Sequence, residues 1–201
     1  RGVRHGVRQS SHGFSQYDVC VAENVTVLPD DVSFDAAALV DCYACGVHAM
    51  NRVPDVAGQS VAIIGAGAIA LTMGQVLKAN GASKVILIGT RSQSVELAVE
   101  AGSADVGVVA VDVGVVEAVL AATGGEGAAV TFETVGGQSQ LIQQAVEMTR
   151  RAGVVSVLGL FTKPQTIDPA MAMAGEVAIQ WSNSFSSWNG EREFATALDL
   201  L

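Results

Sequence analysis

Two short stretches of the chain carry residue types and spacings suited to a phosphorylated ligand. The first is Gly65-Ala66-Gly67-Ala68-Ile69-Ala70 in VAIIGAGAIALTMGQ, a G-x-G-x-x-A turn between a strand-like run and a helical one. Gly65 permits the tight turn, Gly67 lets backbone approach a pyrophosphate, and the small Ala70 lets helix and strand pack closely. The helix that follows offers free N–H groups to the anion. The second stretch, KVILIGTRSQ, is an apolar run that ends in Gly89, followed by Thr90 and Arg91. In a nucleotide-binding fold such a strand often ends in Asp or Glu, which accepts hydrogen bonds from the adenosine ribose and repels a phosphate on its 2′-oxygen. Gly89 removes that charge and makes room. Thr90 can donate a hydrogen bond, and Arg91 can offer a bidentate guanidinium to a dianion. The pattern predicts NADP(H) over NAD(H). A different reading makes Arg91 a solvated first-turn residue of the next helix. The missing acid also argues against S-adenosylmethionine, whose ribose is usually held by an acidic side chain at this strand end.

These turns need a scaffold, and the pattern from about Ser60 onward supplies one. Short β-branched runs (SVAIIG, KVILIG, GVVAV, AAVTFETVGG, VVSVLGLF) alternate with helical ones (AIALTMGQVLKANG, SVELAVEAG, VVEAVLAATGG, QLIQQAVEMTRRAG). Helices ending at Gly81, Gly102, Gly124 and Gly153 fit the left-handed cap that glycine supplies. The repetition predicts an α/β fold, a doubly wound parallel sheet with helices on both faces. The first 32 residues differ. HGFSQYDVCV and ENVTVLPDDV alternate like antiparallel strands ending at a Pro-Asp turn, as if from the edge of another domain. A helix from Ser33, an acceptable N-cap, to about Arg52 leads into the α/β unit. Near the far end VAIQWS reads as a further strand and EREFATALDLL as an amphipathic helix. The expected organisation is residues 1–32 from one domain, 33–185 for the nucleotide-binding unit, and 186–201 starting a return helix, so the chain reads as a fragment.

Composition narrows the partners. The 201 residues are 50% hydrophobic, include 22 glycines and carry a formal net charge of -9. That balance repels phosphate backbones and argues against nucleic acid as a partner, with no basic patch evident to override it; Arg1, Arg4 and Arg8, three separated arginines, read as solvated, against the alternative of a binding arm. Three cysteines, Cys20, Cys42 and Cys45, are too few and too odd in number for a disulfide framework, which predicts a reducing, cytoplasmic setting. Cys42 and Cys45 form a CxxC, but LVDCYACGVHAM reads as a helix and no second ligand pair follows. Val61–Leu77 is interrupted by Gly65, Gly67, Gly74 and Gln75 and does not read as a membrane span, and QSSHGFSQ is too polar for a signal peptide core.

Taken together, HGFSQYDVCVAENVTVLPDDVSFDAAALVDCYACGVHAM, VAIIGAGAIA, GASKVILIGTRSQSVELAVEAGSADV, VTFETVGG and RAGVVSVLGLF resemble, in order and over nearly the whole chain, the medium-chain dehydrogenase/reductase superfamily, specifically its zinc-containing alcohol, sorbitol and threonine dehydrogenase branch. The resemblance implies a Rossmann domain flanked by remnants of a GroES-like β domain, and hydride transfer between NADP(H) and an alcohol or carbonyl substrate, with zinc polarising the oxygen. It implies that Asp41 is a zinc ligand and that the remaining ligands and the proton relay lie upstream of Arg1. By position it places Thr134, Val135 and Gly136 beside the cofactor ribose and Leu158, Gly159 and Leu160 beside the nicotinamide. His48 is read as structural, His5 and His12 have no nameable partner, and Glu133 is read as a packing residue with a hydrogen-bonded head and no chemistry. It also implies a homodimer or homotetramer through the Rossmann domain, with Val177–Phe185 as the pairing edge. Two other functions stand beside the zinc enzyme: a zinc-free quinone or enone reductase, which Asp41 disfavours, and a non-catalytic NADPH-binding module.

Overall fold

Six β-branched runs make one parallel sheet. In the computed structural model, which describes residues 16, 17, 19, 21, 22, 25–111 and 114–201, these are β1 (Ser60–Ile64), β2 (Lys84–Gly89), β3 (Val106–Val109), β4 (Ala128–Glu133), β5 (Thr149–Val157) and β6 (Ala178–Trp181). Their spatial order is β3-β2-β1-β4-β5-β6. Every neighbouring pair is parallel. This is the Rossmann order, and it reverses direction between β1 and β4. Connections from the two strands leave to opposite sides there, which opens a crevice outside the strands' carboxyl ends.

Alternation along the strands builds two cores. Val61, Ile63, Val85, Leu87, Val130 and Phe132 point to one face, where they meet Met73 and Leu77 of α3 (Ala68–Ala79) and Val95 and Ala98 of α4 (Ser92–Glu100). Ala62, Ile64, Ile86, Ile88, Val155 and Val157 point to the other, against Val119 of α5 (Val115–Ala122), and Ile142, Val146 and Met148 of α6 (Ile142–Met148). The short α7 (Pro169–Ala174) begins at Asp168, whose carboxylate accepts from the Ala170 and Met171 N–H groups. A third cluster joins α2 (Val40–Asn51) to α3 and to the closing helix α8 (Glu193–Leu198) through Val40, Tyr43, Val47, Val76 and Leu198. Among the described residues no helix is long and apolar enough to cross a membrane.

Three expectations change. The lead-in helix is divided into α1 (Phe34–Ala37) and α2; Ser33 does cap it, accepting from Ala36 N–H at 3.1 Å, but α1 buries no residue while α2 buries six. Val25–Val32 forms no strand among the described residues. HGFSQYDVCV, with Cys20, His5, His12 and the three N-terminal arginines, lies largely or wholly outside them. The helix expected to run to Gly153 stops at Met148, and β5 begins at once. Gly81, Gly102 and Gly124 take the left-handed conformation of helix caps, whereas Gly153 lies within β5 and does not; the positive φ there belongs to Ala152, at 55° and also inside β5. A small antiparallel pair, β7 (Ser187–Trp188) and β8 (Glu191–Arg192), precedes α8.

Candidate dinucleotide site

The glycine turn sits at the switch point, and each small residue has a spatial reason. Gly65 has φ 127°, and a Cβ there would fall 2.2 Å from the Thr134 hydroxyl. Gly67 has φ -94° and faces open space: a Cβ added to it meets nothing within 4 Å. Ala70 is fully buried between α3 and the sheet. The first turn of α3 has neither an acidic residue nor a side-chain cap, so its N–H groups remain available to an anion over Gly67.

A cleft of about 340 Å³ opens from this turn toward the ends of β2 and β4, lined by Gly65, Ala66, Gly67, Gly89, Thr90, Arg91 and Val135 among others. Gly89 is buried, whereas Thr90 and Arg91 are exposed at the rim. A Cβ on Gly89 would lie 2.8 Å from both the Ala66 Cβ and the Val95 Cγ2. The missing acid therefore has a packing cause. No hydrogen bond or ion pair engages the Arg91 guanidinium among the described residues.

The other expected residues divide. Leu158, Gly159 and Leu160 line a neighbouring cavity of about 610 Å³ with Trp181 and Asn183. Ala68 is exposed and Ile69 half-buried in the first turn of α3. The Thr134 hydroxyl donates to the Ile64 carbonyl at 2.9 Å, tying β4 to β1 instead of reaching into the cleft. Gly136, at φ 58°, packs against Gly159 and Leu160. The sequence reading missed Ser94, Ser139, Leu141, Gln144 and Met148, all of which line the first cleft. Ser94 was open to discovery as the hydroxyl one turn beyond Arg91. The α6 residues had no local signal, since their place depends on how that helix lies over the sheet.

Asp41 is exposed on α2 and stands apart from any group of three His, Cys, Asp or Glu side chains among the described residues. A lone carboxylate does not make a zinc centre, so the residues present do not by themselves fit the metal. Asp41 instead acts on its neighbours. Burial, then the Asp41 charge, raises the Cys42 thiol, and burial with Asp41 and Cys42 pushes Cys45 up to about 11, so both thiols stay protonated at neutral pH. His48 Nδ1 lies 2.7 Å from Glu193 Oε2, in the structural role expected of it.

Residues 68–201 match the model of a family described as zinc-binding dehydrogenase. The chain belongs to that family. Within it, the chain is 31% identical over 190 residues to L-threonine 3-dehydrogenase of Saccharopolyspora erythraea, covering 93% of this chain and 53% of that one. It is 31% identical over 164 residues to (R,R)-butanediol dehydrogenase of Bacillus subtilis, covering 82% and 46%. Galactitol-1-phosphate dehydrogenase of Escherichia coli superposes with a TM-score of 0.83 at 26% identity, covering 94% of this chain and 55% of the other. A zinc-binding dehydrogenase of Sinorhizobium meliloti solved bound to NADP matches at a TM-score of 0.71 and 28% identity, covering 81% and 47%. The chain thus spans about half the length of its family relatives. The family is that of the medium-chain, zinc-containing alcohol dehydrogenase-like proteins, and the Rossmann expectation holds.

Proposed function

We propose that the chain is the cofactor-binding part of a zinc-dependent, alcohol dehydrogenase-like oxidoreductase that moves hydride between NADP(H) and an alcohol or carbonyl substrate. The observation that carries the cofactor choice is the rim of the cleft: an uncharged, buried Gly89 beside exposed Thr90 and an uncommitted Arg91. The α3 N-terminus would hold the pyrophosphate over Gly67. Arg91, Thr90 and the first-turn N–H groups of α4 would hold a 2′-phosphate. Val135 and Gly136 would flank the second ribose, and Leu158, Gly159 and Leu160 the nicotinamide. When bound, the dinucleotide supplies hydride chemistry at C4 of its nicotinamide. Zinc belongs in this reading to the intact protein, with Asp41 as the donor this chain contributes, and the chain is expected to be inactive alone. A pairing of two or four copies through β6 completes the proposal.

Fluorescence titration with the two reduced dinucleotides tests it. The parent chain should bind NADPH more tightly than NADH. Arg91→Ala removes charge-assisted hydrogen bonds and should weaken NADPH about ten- to a hundredfold while leaving NADH within about twofold. Equal affinities in the parent chain would end the cofactor assignment. Metal analysis and an alcohol oxidation assay on the full-length protein test the rest: turnover without metal would favour a zinc-free reductase, and binding without turnover a non-catalytic module.

A further inference from the structure

The last residue of β4 is a glutamate in an otherwise apolar setting, and it is fully buried. Glu133 Oε1 accepts from the Val135 N–H at 2.8 Å and the Gly136 N–H at 2.9 Å, which fixes the turn leaving β4. Its own backbone carbonyl accepts from Leu158 and Gly159 N–H at 2.8 and 3.1 Å, at the turn leaving β5. Oε2 is buried with no hydrogen-bond partner, and it fills the space beside Gly159, where a Cβ would fall 2.3 Å from it. Beyond this point the two turns stay joined: Gly137 N–H donates to the Leu160 carbonyl and Thr162 N–H to the Gly137 carbonyl, each at 2.8 Å. One side chain therefore sits in the wall between the cleft that Val135 lines and the cavity that Gly159 lines. A packing residue would not need a carboxyl here, because a buried polar group without full pairing costs stability that an apolar one does not.

We propose that Glu133 is a positioning residue for the nicotinamide half of the dinucleotide, fixing with one side chain the two backbone turns that flank it. The inference rests on the cofactor reading above. What the site asks of the side chain is a double acceptor at Oε1 and a filled volume at Oε2; it does not ask for a negative charge. Burial pushes the carboxyl up, against the pull of the Gly136 and Val135 N–H groups. An amide of the same shape should serve equally well.

The experiment compares two ligands on the same chain by calorimetry: NADPH, and 2′-phospho-ADP, which keeps the adenosine, its 2′-phosphate and the pyrophosphate but lacks the second ribose and the nicotinamide. Glu133→Gln should bind both within about twofold of the parent. Glu133→Met, which keeps the volume but no acceptor for the two N–H groups, should lose on the order of tenfold for NADPH and less than about twofold for the fragment. Should E133M not fold, E133D takes its place, since its shorter arm cannot reach both N–H groups, and the same pair of titrations decides. Equal losses for the two ligands, or none, would show a residue that only maintains the fold and would overturn the proposal. A loss of NADPH binding in E133Q would show that the charge is needed and would overturn the double-acceptor role. A parent chain that binds neither ligand sinks the cofactor reading, and this inference with it.

Discussion

Gly65, Gly67 and Gly89 are all glycines of one site, yet the structure gives them three different reasons and therefore three different predicted phenotypes. Gly65→Ala combines a left-handed backbone with a Cβ driven into Thr134, so it should cost on the order of 3 kcal/mol in urea unfolding. Gly67→Ala has an ordinary φ and open space, so its stability should stay within about 1 kcal/mol of the parent. Its methyl would nonetheless stand in the proposed path of the pyrophosphate, and NADPH affinity should fall on the order of tenfold. A G67A protein that binds normally would move the phosphate elsewhere. Gly89→Asp, the change that would restore the ribose-binding acid, should not create an NAD site: it overpacks against Ala66 and Val95, costs about 1–3 kcal/mol in thermal unfolding and weakens both dinucleotides. The glycine spacing and Arg91 were legible in the sequence because local turn chemistry dictates them. The contact of Gly89 with Ala66 and Val95 was not, because it joins three segments that only the fold brings together.

At the scale of elements, α8 docks on α2 through a buried acid. Glu193 Oε1 accepts from Asn51 at 3.0 Å, and Oε2 accepts from Ser186 N–H and from His48 Nδ1, each at 2.7 Å. Burial alone would raise this carboxyl; the Asn51, Ser186 and His48 hydrogen bonds more than reverse it, and the net shift is downward. A depressed folded value means that the carboxylate's contribution is fully present above its ordinary value of 4.5 and is lost as pH falls through the lowered one. Glu193→Gln should therefore destabilise by about 1–3 kcal/mol at neutral pH and flatten the acid limb of the stability curve below that value. An acid limb unchanged in E193Q would assign the pH dependence to other carboxylates. Periodicity found these helices but could not find their partners, since the pair spans residues 48 and 193. The α6–β5 junction shows the same limit more sharply. Thr149, Arg150, Arg151 and Ala152 continue the helical pattern, yet Thr149 is buried with its hydroxyl on the Ala145 carbonyl and Thr131 Oγ1, and it already pairs with Ala128. Sheet pairing overrides local propensity there, and the register shift between Ala128 and Val130 accommodates the extra residues.

For the whole molecule, the open question of shape is what covers the end of the sheet. The parallel sheet and its two helical layers were legible in the alternation of runs, because the central strands β1, β2 and β4 are apolar and buried on both faces; the outer β3 and β6 are short and partly exposed. Among the described residues the sheet stops at β6, which pairs with β5 on one side only and presents Trp181 at 57% exposure. An edge strand next to an exposed indole is a template for another strand, and in the proposed pairing a second copy of β6 related by a two-fold axis would supply a self-complementary one. Light scattering should accordingly give a particle of at least twice the 20.6 kDa of one chain. Trp181→Lys places a charge at the centre of that contact and should shift the particle to a single chain while the helical circular dichroism signal is kept. A parent chain that scatters as a monomer at every concentration, or a W181K protein that still pairs, would mean that the edge is not where copies meet.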